Sequence, residues 1–460
     1  MRTSKRSLPE DFHDSKRKRI RKTTTQLQAI TSWDQTPYLV LLEVFKHLSD
    51  KSRCVASQVC RAWNNAFKNP SLWRSKSFVV GGPNAQNAAF RAIQFTKLFG
   101  HNLQELRITC RHLTSSTCKL IIENLEAVFL LLAASRLRLL VVAELELDRF
   151  WRYPNLRTSA AICLVNFIQS QSGLEEFAMK SAQFSLQQGV CLLDVLAAAS
   201  GPKITTLDIE DFFSNQNAVG VFGAFKTVLL KFENLSSLAL NYCYLSDELM
   251  EHLALVLKGR LKRFTIRANH DEPGETISNK RWSLLKLACP NLAVYLTMSA
   301  IIEVDNVLQI LAPSMPLVSF YMWPGFDPRL DTQLEWQLTV TMNHVANHFH
   351  ESLEELVFNG DNFPDSLDDE LIRTIARCNQ LRIIRMKITA NINGLHFVRS
   401  LCGLLKEDDC TLKDVCITLC DIFVPDDVHA RDQINQLVQE MQPFIDTRGI
   451  DLEFRSLDDF

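Results

Sequence analysis

Apolar residues along most of this chain follow one recurring pattern, Leu-x-x-Leu-x-Leu with conservative swaps. Copies begin at Leu103 (LQELRI), Leu137 (LRLLVV), Leu174 (LEEFAM), Ile204 (ITTLDI) and Leu235 (LSSLAL). They continue at Leu261 (LKRFTI), Leu317 (LVSFYM), Leu353 (LEELVF), Leu381 (LRIIRM) and Leu412 (LKDVCI), with a degenerate copy near Leu292 (LAVYLT). Intervals run from about 25 to 37 residues. The period of two in an extended chain puts the fourth and sixth positions of each copy on one side of a short strand. The stretch between copies returns as a helix: Leu249, Leu253, Val256 and Leu257 share one face. One match carries no weight, because any buried strand produces it. Ten at quasi-regular spacing predict an α/β solenoid over 101–455, with curved parallel strands inside and helices outside.

A different pattern occupies Ser32–Trp73, SWDQTPYLVLLEVFKHLSDKSRCVASQVCRAWNNAFKNPSLW. Trp33, Leu41, Val44, Phe45 and Leu48 fall on one side of a first helix. Ser49 or Asp50 is placed to cap the next. Val55, Val59, Trp63 and Phe67 then form an i, i+4 stripe. Three short helices in about forty residues bury too little surface to be comfortably stable alone. Their apolar residues also exceed what so small a core can hide, so the unit is built to pack on a partner.

The residues of this stretch resemble the F-box, the adaptor-binding module of cullin–RING ubiquitin ligases. Pro37, Leu41-Leu42, Phe45, Leu48, Val59-Cys60-Arg61-Ala62-Trp63 and Leu72-Trp73 stand at the family's positions without a gap. Thr36 replaces the usual Leu before Pro37, and Arg53-Cys54 stands where Leu-Leu is common. Both departures remove apolar contact and point to weaker adaptor affinity. The repeats carry the leucine-rich-repeat signature, and Cys243, Asn269 and Cys420 occupy the ninth position where a small polar group serves the turning backbone. Phe212 and Ala182 break that rule.

A leading F-box with divergent repeats resembles the animal F-box-only proteins, with the layout of the members numbered thirty-three and thirty-nine. LELDRFWR (Leu145–Arg152), NLSSLALNYC (Asn234–Cys243) and APSMPL (Ala312–Leu317) carry that likeness. The resemblance implies a non-catalytic substrate receptor. Pro37, Leu41, Leu42, Phe45, Leu48, Val59 and Trp63 would bind the Skp adaptor, the adaptor would bring cullin and RING subunits, and the repeats would hold a protein substrate.

Charge is uneven. Residues 1–30 hold nine Lys/Arg against three Asp/Glu, whereas the chain as a whole is −2. This tail contains Lys16, Arg17, Lys18, Arg19, Arg21 and Lys22, lacks apolar periodicity and is expected to be disordered. Such a run suits nuclear import. No aromatic residue interleaves it and the remaining body is acidic, so nucleic acid is not the expected partner. No apolar run reaches transmembrane length and no signal-peptide core is present, which points to an intracellular protein, nuclear or cytoplasmic, with reduced cysteines. The expected domains are a tail at 1–30, the F-box at 31–77, a linker and capping helix at 78–100, the solenoid at 101–455 and an acidic end at 456–460.

Phosphate loops, nucleophile elbows and His-Glu-x-x-His are absent, and Gly numbers only 15. His344, His348 and His350, and Cys410, Cys416 and Cys420, are clusters without supporting ligands. No metal and no cofactor is expected. Recognition should fall on the concave strand face, where Tyr321 and Trp323 project as aromatic anchors flanked by Arg267, Arg385 and Lys387, provided Phe320 and Met322 point inward. The loop at Pro324–Pro328 is placed to cover both rings. The competing reading is a repeat scaffold whose F-box-like helices cap the solenoid. Exposure separates the two: in a receptor Pro37, Leu41, Phe45 and Trp63 include solvent-facing apolar positions in the free chain, and in a cap they are buried against the first repeats.

Overall fold

The computed structural model describes residues 36–456, apart from 83, 112–114, 151, 217–218, 220–222, 270–271, 302, 324–337, 362–366, 390–393, 407–410 and 421–426. The chain divides into two compact units, Met1–Ser75 and Lys76–Phe460. In the first, helices α1 (Tyr38–His47), α2 (Asp50–Ala56) and α3 (Arg61–Phe67) are followed by a 3₁₀ turn at Pro70–Trp73.

Among the described residues, the second unit is one sheet of thirteen strands lying side by side in chain order. They are β1 (Ser75–Gly81), β2 (Glu105–Arg111), β3 (Leu139–Ala143), β4 (Glu176–Ala178), β5 (Thr206–Asp208), β6 (Ser237–Asn241) and β7 (Arg263–Asn269). β8 (Ala293–Ser299), β9 (Leu317–Trp323), β10 (Glu355–Asp361), β11 (Ile383–Thr389), β12 (Asp414–Cys420) and β13 (Asp451–Ser456) complete it. Neighbours from β2 onward pair in parallel. Parallel neighbours need a crossover of a dozen or more residues, and the residues between repeats supply it.

Burial follows the repeat. Leu106, Ile108 and Cys110 of β2, and Phe264, Ile266 and Ala268 of β7, are inward, with less buried residues between them. The inward side chains and the helices form one core running from Val80 to Ile450. Two strands escape the motif. The β1 strand (SKSFVVG) takes the start of the expected linker, ahead of the helix Ala85–Phe99, and β13 (DLEFRS) closes the far end.

Strands β3 to β5 are short, because the chain leaves the sheet early through left-handed residues: Glu144, Ser181 and Asp211 have φ of 58°, 55° and 50°. These turns stack, with Glu144 N–H donating to Lys180 O and Ser181 N–H to Glu210 O. Phenylalanines fill the space behind. Phe184, Phe212, Phe213 and Phe225 are fully buried, with successive ring centroids 5.0–5.6 Å apart. Phe212 thus fills the core at the position where the repeat pattern asks for a small polar residue. Gly189 is needed opposite them, since a Cβ there would collide with the Phe213 ring.

The polar ladder at the turns is built differently from expectation. Asn241, a seventh-position residue, is completely buried. Its Oδ1 accepts the Asp211 N–H at 2.7 Å, and its Nδ2 donates to Asp211 Oδ1 at 2.8 Å. Asn269 Nδ2 donates to the same carboxylate at 3.3 Å, while Asn269 N–H donates to Glu272 Oε1. Burial, with the Asp211 charge added, lifts the Glu272 carboxyl from 4.5 to about 7. Asp208 is lifted from 3.8 to about 6 by burial and the Glu210 charge. Both acids hold a proton more tightly folded than unfolded. Their contribution to stability is complete below the unfolded values and is lost as pH rises through about 6 to 7. The melting temperature of the full chain should therefore fall between about pH 5 and about pH 8. Glu272→Gln, which keeps the acceptor for Asn269, should flatten that fall and raise the alkaline value. An identical pH profile in the variant would refute the assignment.

Candidate functional site

Helix α1 begins at Pro37, whose carbonyl accepts the N–H of Val40 and Leu41. Leu41 and Phe45, four residues apart, are buried, and Phe45 meets the Trp63 ring edge-on at 5.7 Å. Ser49 caps α2, its hydroxyl accepting the Ser52 N–H at 3.2 Å. The expected stripe through Val55, Val59, Trp63 and Phe67 does not survive, because residues 57–60 break it into two helices. Ala56 and Ala66 fill the inside, and Val55 and Val59 face solvent. At the close of the unit Trp73 is buried, and its Nε1–H donates to Phe67 O at 2.8 Å.

Arg53 explains how so small a unit holds together. Its Nε donates to Phe45 O at 2.8 Å, Nη2 to Lys46 O at 3.1 Å and Nη1 to Leu72 O at 3.1 Å. The first two carbonyls belong to the last turn of α1, where intrahelical donors run out and Phe45 O otherwise accepts only the capping Leu48 N–H at 3.2 Å. Asp50 lies 3.2 Å from Nη1, and the guanidinium sits 5.3 Å over the Trp73 ring. The Arg at this position therefore ties the unit to itself.

The predicted adaptor residues separate into three groups. Pro37 and Val59 are exposed, Leu42, Leu48 and Trp63 are half-buried, and Leu41 and Phe45 are internal. Leu41 and Phe45 were expected at the surface of a receptor; here they are the supports on which the surface rests. The exposed apolar residues are Tyr38, Leu39, Val40, Val44, Val55 and Val59, with Leu39 77% and Val59 60% exposed. A signal for them existed in the sequence, since YLVLLEVF is apolar around the whole helix and asks for cover on more than one side. Trp33 and the Lys16–Lys22 run lie outside the described residues.

On the open face of the sheet, Phe320 and Met322 are inward, Tyr321 is half-buried and Trp323 is 45% exposed. The expected covering loop lies outside the described residues. Register aligns Asn241, Arg267, Thr297, Tyr321, Val357, Arg385 and Cys416 in one row across β6 to β12. Lys387 lies one row on, opposite Asn359 and Thr418. Two of the expected flanking cations are already engaged. Arg267 Nε lies 3.0 Å from Asn269 Oδ1 and 3.6 Å from Asp211, and Arg385 lies 2.5 Å from Asp414. They are paired within the sheet and are not the free rim charges that sequence position suggested.

The remaining clusters offer little chemistry. His344 Nε2 is engaged at 2.8 Å with Leu311 O, and burial lowers its proton affinity. Burial also pushes the Cys110, Cys163 and Cys378 thiols up to about 12, so they are protonated at neutral pH. Among the described residues no group of three His, Cys, Asp or Glu side chains is arranged for a metal ion. No described helix is long and apolar enough to cross a membrane.

Comparison with known proteins agrees with this geometry. The F-box-like family matches residues 33–79. The chain is 22% identical to mouse F-box/LRR-repeat protein 21 over 418 residues, covering 88% of each chain. It is 23% identical to human F-box/LRR-repeat protein 8 over 80% of this chain and 93% of the relative. Among solved structures, the yeast Rad7 and Elc1 complex aligns with 83% of this chain and 95% of its own at 12% identity and a TM-score of 0.34. LegL7 from Legionella pneumophila, a leucine-rich-repeat protein, aligns with 80% and 97% at 11% identity and 0.35. The chain thus carries an F-box-like domain followed by an α/β solenoid of the leucine-rich-repeat class.

The Arg53 contacts generate a test of the small unit. Arg53→Ala should lower its stability by roughly 2–4 kcal/mol, because carbonyls bonded to a charged donor lose it together. Hydrogen exchange over residues 38–75 should speed up while the repeats keep their protection. Unchanged exchange there would show that the clamp is idle.

Proposed function

We propose that this chain is the substrate-recognition subunit of an SCF-type ubiquitin ligase, assembled from the Skp adaptor, cullin and this F-box protein. It performs no catalysis itself and needs no cofactor. The observation that carries the reading is the apolar surface of the first unit: Leu39, Val40, Val44, Val55 and Val59 stand exposed over an internal Leu41–Phe45–Trp63 support. A folded unit that leaves this much apolar surface uncovered marks a protein-binding site. Within the class, we place the layout beside the animal F-box-only members thirty-three and thirty-nine.

The adaptor takes this surface and brings the cullin and RING subunits, while the repeats hold the protein to be ubiquitylated, with Tyr321 and Trp323 as anchors. Leu39→Asp/Val59→Asp should abolish co-purification with adaptor and cullin at an unchanged melting temperature, since truncating a buried interface anchor alone costs about 2–4 kcal/mol. Tyr321→Ala/Trp323→Ala should keep the adaptor and lose substrate ubiquitylation. Full adaptor recovery by the first variant would reject the receptor role.

The Lys16–Lys22 run is proposed to direct nuclear accumulation. Replacing its six basic residues by Ala should shift a tagged chain toward the cytoplasm; an unaltered nuclear fraction would refute it.

A further inference from the structure

The turn leading into β7 carries four cations in six residues, Lys258, Arg260, Lys262 and Arg263, all exposed. Among the described residues none of them forms an ion pair, unlike Arg267 and Arg385 on the same sheet. Arg260 Nη1 donates at 2.9 Å to the backbone carbonyl of Glu233, in the preceding repeat. Arg263 lies in the opposite sense, its guanidinium stacked 3.8 Å from the centre of the Tyr295 ring on β8. Its neighbours across the sheet are Ser237 and Ala293, neither of them charged. Stacking fixes the plane of the guanidinium and leaves its edge free for a bidentate acceptor. An apolar foothold adjoins the turn. Gly259 N–H donates to Ala288 O, and the next residue back, Leu287, is 80% exposed.

We infer that this rim, spanning β6 to β8, docks an acidic polypeptide segment in which Asp or Glu side chains alternate with leucine-like ones. The inference rests on the receptor reading and names the chemistry its substrate presents. The charges diverge, Arg260 toward the preceding repeat and Arg263 toward the following one. A phosphate group is best held by several donors meeting at one point, whereas separated single cations match carboxylates spaced along a chain. The rest of the body strengthens the contrast, because with the basic first thirty residues set aside it is net acidic. A positive rim on such a body attracts acidic partners locally and speeds their encounter at low salt.

The test uses the purified full chain and fluorescence anisotropy with a labelled peptide alternating Glu, Leu and Ser. Companion probes replace Glu by Gln or by phosphoserine, and a fourth is oligodeoxythymidylate. The Glu peptide should bind roughly tenfold more tightly than the Gln peptide, with affinity falling as salt rises. Arg260→Gln/Arg263→Gln should remove most of that advantage and of the salt dependence, with melting temperature and adaptor binding unchanged. Equal affinity for the Glu and Gln peptides would overturn the proposal, as would a double variant that binds like the parent. Binding of only the phosphoserine peptide or only the oligonucleotide would overturn it too. Adaptor co-purification, measured on the same preparations, reports separately on the receptor reading.

Discussion

Each strand of the repeat unit hydrogen-bonds only to the strands of the repeats before and after it, and everything else in the unit depends on that constraint. A single repeat cannot cover its own apolar strand face, so stacking along the chain is what produces a core. Substitutions inside one repeat are consequently felt by its two neighbours. Phe213 shows this: its ring touches Phe212 within the turn, Phe225 on the next helix and Tyr244 in the following repeat. Hydrogen bonding across the turns has the same reach, since Asp211 serves groups from Asn241 and Asn269 in two later repeats.

The repetitive part of this arrangement was legible because strand burial has a fixed period. Phe264 and Ile266, or Phe320 and Met322, are inward for the same reason that the motif repeats at all. What escaped the pattern is where the physics is not periodic. The β1 and β13 strands have a neighbour on one side only and so do not need the full motif. The Asn241 ladder sits two positions from where the repeat rule places its polar residue, because the left-handed turn at Asp211 brings a backbone N–H to position seven. Side-chain pairing is also invisible to spacing. Arg267 and Arg385 occupy outward positions as expected, yet acids from other strands take up their charge.

In the three-helix unit the same limits produced an inversion. Spacing located the helices, but whether an apolar residue in a small bundle is support or surface depends on short helix breaks. The break at residues 57–60 turned Val55 and Val59 outward and left alanines inside. Small inner side chains leave a thin core, and Arg53 compensates with hydrogen bonds to three backbone carbonyls that a leucine at that position could not supply.

Selectivity on the open sheet face follows from which charges are already neutralised. A cation paired within the sheet, such as Arg385 with Asp414, gains little from an incoming acid, because the new partner must displace an existing one of equal charge. A cation whose neighbours are Ser237, Ala293 and the face of Tyr295 has no such competitor among the described residues. The difference between Arg263 and Arg385 is therefore one of local bookkeeping in charge, although both are exposed arginines on parallel strands. If the rim docks an acidic segment as proposed, recognition is set less by how many cations the face displays than by where the described acids of its strands leave one unclaimed, and around the entry to β7 that place coincides with an exposed leucine and a fixed aromatic ring.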